Sequence, residues 1–268
     1  MQKLSYIIGL FVVGCSLSSC EDVIDVDLPQ AEPRLVIDAL IRVPAEEDYF
    51  PVIVRLSTTA PFDAEGVPRV SGAGVSLTGD EETYRLEDAG DGIYLGELPR
   101  KVISNETIQL DITYKDAHYA STTKMVTTVA IDNLSQGDGT LFSGDETEII
   151  VDYTDPAPSR DYYLFDMDFG FYLLSEDSFY QGNPINFSYF YDNLDPGSAL
   201  TIDILGVDKA FYDYMSIVIS QTGQDTAGPF EAPPAEVKGN IINTTNPENY
   251  PLGYFAIAQQ YSANIITE

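Results

Sequence analysis

Two thiols, one imidazole and a large surplus of carboxylates are the reactive groups of this chain. The thiols, Cys15 and Cys20, both lie near the N-terminus. Cys20 closes the run Leu17-Ser18-Ser19-Cys20, an aliphatic residue and two small ones ahead of a cysteine. That order suits lipid attachment. The thiol takes a diacylglyceryl group, and the small residues let a signal peptidase close on the bond before it. Val12-Val13-Gly14-Cys15 has the same order, but cleavage there would shorten the apolar segment and leave Cys20 without a role. Cys20 is therefore the expected lipidation site. Upstream, Lys3 supplies a short positive region and residues 4–13 an apolar stretch of signal-peptide size, too short to span a bilayer. Residues 1–19 read as a lipoprotein signal peptide, and the acyl chains as the membrane anchor.

The remaining chemistry is sparse. His118 is the sole histidine and sits in an alternating strand, where it reads as a structural residue. Without a second histidine or a thiol pair, a zinc site is not expected. No Gly-x-Ser-x-Gly elbow, Walker loop or dinucleotide glycine fingerprint occurs. Two carboxylates at a suitable separation suffice to hydrolyse a glycosidic bond, but 43 acidic residues do not single out a pair. Calcium favours clustered oxygen donors, and Asp88 and Asp91 with the carbonyls around Gly90 and Gly92 form a candidate loop. A Gly-Asp turn ahead of a strand explains the same residues. No catalytic residue and no cofactor is expected.

The elements that must position these groups are mainly strands. Residues 35–41, 52–57, 73–78, 83–86, 93–95, 107–114 and 119–128 alternate or run apolar between turn clusters. Seven short strands over about a hundred residues predict an immunoglobulin-like β-sandwich, here residues 34–132. A lipidated acidic tether (20–33) precedes it, and a Gly, Ser and Asp-rich linker (133–145) follows. Residues 146–268 read as a β-rich domain interrupted by one helix. In that helix Val207, Ala210, Phe211, Tyr214, Ile217, Val218 and Gln221 recur at helical spacing, which predicts 207–221. Tyr163, Phe165, Met167, Phe169 and Phe171 alternate along 162–172. Core packing is expected of Phe165, Phe169 and Phe171, whereas Tyr180, Tyr189 and Tyr191 fit a core or a binding face equally. Pro229-Phe230 and Pro233-Pro234 predict an extended, stiff segment.

The formal net charge is −30, and loss of Lys3 with the signal makes the mature chain one unit more acidic. This argues against nucleic acid and against anionic lipid surfaces, both of which need basic patches. No cysteine follows Cys20, so stability must come from burial.

Glu21, Asp22 and Asp25, close behind Cys20, resemble the surface-export signal of Bacteroidota lipoproteins. Asp225-Thr226-Ala227 resembles the Bacteroidota O-glycosylation motif, with Thr226 as acceptor. A wider resemblance rests on an ordered set of short pieces. They are Val-Ile-Asp-Val-Asp-Leu-Pro (23–29), Arg-Leu-Val-Ile-Asp (34–38), Val54-Arg55-Leu56-Ser57, Ala60-Pro61-Phe62, Gly74-Val75-Ser76-Leu77 and Gly92-Ile93-Tyr94. Pro229-Phe230, Pro233-Pro234, Val237-Lys238-Gly239-Asn240-Ile241 and Leu252-Gly253-Tyr254-Phe255 complete it. In this order they resemble the Bacteroidota lipoproteins known as domain-of-unknown-function family 4249. This chain looks shorter than many members and lacks cysteines that some carry near the C-terminus. The resemblance implies an envelope protein encoded near TonB-dependent outer-membrane receptors. The expectation is a non-catalytic outer-membrane lipoprotein facing the cell exterior, an accessory or substrate-capture partner of a TonB-dependent transporter. A structural or adhesive surface protein is the alternative, and a cryptic carboxylate-dependent hydrolase the third reading.

Overall fold

Leu35, Ile37, Ala39, Ile41 and Val43 point into a core while the residues between them face outward. This period of two recurs in several of the described strands. The computed structural model describes residues 32–61, 64–104, 106–141, 144–222 and 236–268. Cys15, Cys20, Glu21, Asp22, Asp25 and Thr226 lie outside the described residues, as do Pro229-Phe230 and Pro233-Pro234. Pro33–Glu268 forms one structural unit.

The strands are β1 (Leu35–Pro44), β2 (Tyr49–Thr58), β3 (Gly74–Gly79), β4 (Glu82–Gly90), β5 (Ile93–Pro99), β6 (Ile108–Tyr114), β7 (Ala117–Thr123) and β8 (Met125–Val126). They continue as β9 (Ile131–Gln136), β10 (Thr147–Thr154), β11 (Tyr162–Asp166), β12 (Tyr172–Glu176), β13 (Pro184–Tyr191), β14 (Ala199–Val207), β15 (Ile242–Asn243) and β16 (Leu252–Ile266). Two helices are described, α1 (Arg100–Ile103) and α2 (Lys209–Gln221).

One sheet of 13 strands runs β12-β11-β14-β16-β1-β2-β5-β4-β3-β6-β7-β15, with β8 added to β16. A separate three-stranded sheet runs β13-β10-β9. The long sheet curls because β4 serves two neighbours. Its first half pairs with β3, its second with β5, and the register shifts between Asp88 and Gly90. The two stretches then face each other over one core, in which Ile37, Val54 and Tyr94 meet Leu77, Leu110 and Ile112.

The mainly β class expected from the sequence is observed. In place of a free-standing immunoglobulin-like sandwich, β1 to β8 belong to a sheet that continues into the C-terminal half. The reason is the outer edge of β1, which β16 occupies in parallel from Val36–Leu252 to Pro44–Gln260. β9 runs into the segment expected as a linker.

β11, β14 and β16 are covered on both faces. The small sheet packs Ile149, Val151 and Tyr153 against Phe165, Ile202 and Ile204. On the opposite face α2 brings Phe211 to Leu164, Leu205 and Ala258. Double burial explains why Ile202 to Val207 reads apolar with little alternation. α2 starts after Val207 because that residue still belongs to β14. Asp208 caps it, accepting a hydrogen bond from the Phe211 N–H at 2.7 Å.

Candidate functional site

The aromatic run 162–172 is two strands and a turn rather than one strand. Asp168, Phe169 and Gly170 all take positive φ (65°, 51° and 79°). Three successive left-handed residues reverse the chain and end the alternation. Asp168 pins the turn, because its Oδ2 accepts from the Thr201 N–H at 3.0 Å. Phe165 is fully buried as expected. Phe169 and Phe171, expected in the core, are instead 61% and 39% exposed. Phe169 lies within the reversal and Phe171 just beyond it, where the period that put Phe165 inside no longer applies. Each still leans on a tyrosine of β13, Phe169 on Tyr191 at 6.4 Å and Phe171 on Tyr189 at 6.2 Å between ring centres. Tyr191 is buried and Tyr189 half-buried. A cleft of about 320 Å³ adjoins them, lined by Tyr172, Leu174, Tyr189 and Tyr212 among others.

At the other end of the β11–β12 hairpin three carboxylates converge. Asp155 follows the last residue of β10, Asp161 precedes the first of β11, and Asp177 follows the last of β12. One oxygen of each lies within 4.8 Å of one oxygen of each of the others. Asp155 and Asp177 are buried, at 1% and 0% exposure. Asp155 is well held: Tyr163 Oη donates to its Oδ1 at 2.6 Å and the Gly182 N–H to its Oδ2 at 3.0 Å. Asp161 accepts from Ser159 Oγ at 2.8 Å. Neither Oδ1 nor Oδ2 of Asp177 has a hydrogen-bond partner among the described residues.

The electrostatics are correspondingly unbalanced. Burial, and then the negative charges of Asp155 and Asp177, push the Asp161 carboxyl above its ordinary range against the opposing pull of Ser159. Burial and the bond to Asp155 push the Tyr163 hydroxyl far up, so it stays protonated and donates. The nearby Arg160 turns to Glu176 and Ser178, at 3.0 and 2.7 Å. Among the described residues no cationic side chain lies within ion-pair distance of any of the three acids, although Arg160 is near enough to Asp177 for their charges to attract. Two unit charges about 4.8 Å apart repel by about 3.5 kcal/mol at an effective dielectric of about 20. Two buried carboxylates and one half-buried carboxylate thus converge at close range.

The residues singled out from the sequence sit elsewhere. Asp88 accepts from the backbone N–H of Gly72 at 2.6 Å and of Gly90 at 2.9 Å. Those two bonds hold its carboxyl below the usual range and fix it in a turn, where Asp91 has φ 49°. His118 Nδ1 lies 3.1 Å from Thr244 Oγ1, and its backbone N–H donates to Thr245 Oγ1 at 3.0 Å. It fastens β7 to the segment after β15. Asp155, Asp161 and Asp177 escaped the sequence reading because three strand ends, not one loop, bring them together. The only local hint was an acid at each strand boundary.

The described residues thus form a mainly β body, and among them no helix is long and apolar enough to cross a membrane. The chain belongs to the family described as domain of unknown function (DUF4249), whose model matches residues 21–264. This confirms the resemblance carried by the short sequence pieces. No curated protein matches the chain. One similar solved structure concerns host cell surface retention of a 1.5-MDa bacterial ice-binding adhesin. It is 10% identical with a TM-score of 0.24, and the match covers 90% of this chain and 65% of that one.

Proposed function

We propose that this chain is a non-catalytic protein of the bacterial cell surface, anchored by lipid at Cys20, whose β body makes structural or adhesive contacts with another protein. The observation that carries the reading is the exposed pair Phe169 and Phe171, held on a strained turn and backed by Tyr189 and Tyr191. Large aromatic rings offer contact area at low entropic cost, and a rigid turn presents them without a further ordering penalty. Neither phenylalanine belongs to the buried core. The curled two-layer packing of β1 to β7 supports an immunoglobulin-like arrangement for that part. Outer-membrane attachment facing the exterior fits the lipobox at Cys20 and the acids Glu21, Asp22 and Asp25.

A second reading, accessory to a TonB-dependent transporter, is supported by family resemblance alone. One experiment addresses both. The intact lipoprotein is isolated in mild detergent alongside a Phe169→Ser, Phe171→Ser variant, and co-purifying proteins are identified. A surface partner present with the wild type and lost with the variant is the expected result. A TonB-dependent barrel recovered equally with both would favour the second reading. Identical recovery of everything, with no barrel, would remove the contact role of the two phenylalanines.

A further inference from the structure

We propose that Asp155, Asp161 and Asp177 bind one calcium ion, which ties the small sheet to the long one. The donor set is three carboxylates with no nitrogen or sulfur, which selects a hard cation. With calcium–oxygen distances of about 2.4 Å, two oxygens on one ion are at most about 4.8 Å apart. The three carboxylate oxygens fall within that limit. The independent sign of a ligand is Asp177, fully buried, with both oxygens unpartnered and one of them facing the other two acids. A buried carboxylate left without donors is costly, and a divalent cation supplies what the surrounding side chains do not. Hydrogen bonds already orient Asp155 and Asp161, so two of the three ligands are positioned in advance. Loop carbonyls and water would complete the sphere. Magnesium, which demands a tight octahedron and sheds water reluctantly, suits three separate strand ends less well.

The location gives the ion a task. Asp155 directly follows β10 of the three-stranded sheet, whereas Asp161 and Asp177 flank β11 and β12 of the long sheet. An ion held by all three joins the sheets and fixes the loop after Asp177. That loop carries Phe179, which is 97% exposed. Calcium would therefore set both the stiffness of this end and the presentation of Phe179. The site is separate from the Phe169 turn, so the two ideas fail independently.

The test uses the intact lipoprotein in mild detergent, stripped with EGTA and titrated with CaCl2, with MgCl2 as control. The expected result is a saturable calorimetric isotherm for calcium and a rise in Tm of about 5 °C or more at saturation. Magnesium at equal concentration should give a clearly smaller rise. Asp177→Asn should lose both responses yet be at least as stable as the wild type in EGTA, because it removes a buried unpaired charge. Should that variant not fold, Asp161→Asn, at a half-buried position, decides: it should weaken calcium binding about tenfold or more. Absence of a calcium-dependent Tm rise in the wild type overturns the proposal. So does a rise that Asp161→Asn and any folded Asp177→Asn retain in full, since calcium would then be acting on the acidic surface at large.

Discussion

The side-chain amide of Asn240 makes two hydrogen bonds to the backbone of Phe255: Nδ2–H donates to its carbonyl at 2.8 Å, and Oδ1 accepts from its N–H at 2.9 Å. At that point β16 has β1 on one edge and, among the described residues, no strand on the other, so one side chain stands in for a strand neighbour. The close approach depends on glycine. A Cβ on Gly239 would lie 1.6 Å from the carbonyl oxygen of Gly253, and Gly253 itself has φ +99°. Two pieces of the sequence, Gly239-Asn240 and Gly253-Tyr254-Phe255, are therefore halves of one contact. Asn240→Ala strands a donor and an acceptor beside a fully buried ring and should cost about 2–4 kcal/mol in urea unfolding. Asn240→Asp, which keeps the acceptor but sets a charge against the Phe255 carbonyl, should cost at least as much. A loss below about 0.5 kcal/mol for either would mean the edge needs no such patch.

Arg42 does comparable work on the opposite side of the strand order. From β1 it reaches past β16 to Asp203 on β14 at 3.1 Å and Asp166 on β11 at 2.6 Å. Residue 258, its register partner on β16, is alanine, which leaves the guanidinium room to pass. Asp166 and Asp203 are themselves register partners, so without Arg42 two largely buried carboxylates would face each other. Burial already pushes the Asp203 carboxyl up. Arg42→Met should cost about 2–4 kcal/mol. Adding Asp166→Asn should return a good part of that loss, because it removes the repulsion. A double variant no better than the single would show that Arg42 acts by packing alone.

The carboxylate trio makes stability depend on pH in a direction that calcium should reverse. The Asp161 carboxyl is raised in the folded protein, so between the ordinary carboxylate range and that raised value the folded state holds more proton than the unfolded. Its contribution is favourable at low pH and is lost as pH rises through the folded value. In EGTA, the Tm of the wild type minus that of Asp161→Asn should therefore increase on acidification from about pH 7 to about pH 4. In saturating calcium the same difference should increase toward neutral pH, because the ion binds the ionised carboxylates. Calorimetric scans in both buffers check this, and slopes of equal sign would contradict it.

How far the sequence could be read follows from how local each signal is. β1, β2 and β6 appeared at nearly their observed positions, because more exposed and more buried residues alternate along them. α2 was legible for the same reason at a different period. The parallel pairing of β1 with β16 was not, since nothing in Leu35–Pro44 indicates which distant strand will fill its edge. Phe169 and Phe171 misled because the apolar alternation runs on through a turn that Asp168 and Gly170 alone betray. The acids that do converge were hidden among 43, whereas Asp88 and Asp91, conspicuous between glycines, serve a turn.

The lipid anchor remains a matter of sequence chemistry and can be tested as such. Leu17-Ser18-Ser19 ahead of Cys20 predicts cleavage before Cys20, with the thiol carrying the acyl chains. Cys20→Ala should move the protein from the membrane fraction to the soluble fraction, while Cys15→Ala should leave it membrane-bound. The reverse outcome would assign the anchor to Cys15. Changing Glu21, Asp22 and Asp25 together to alanine keeps the lipobox, so lipidation should persist while cleavage by protease added to whole cells declines. Unchanged cleavage would reduce those acids to a solvated tether and leave surface exposure to some other signal.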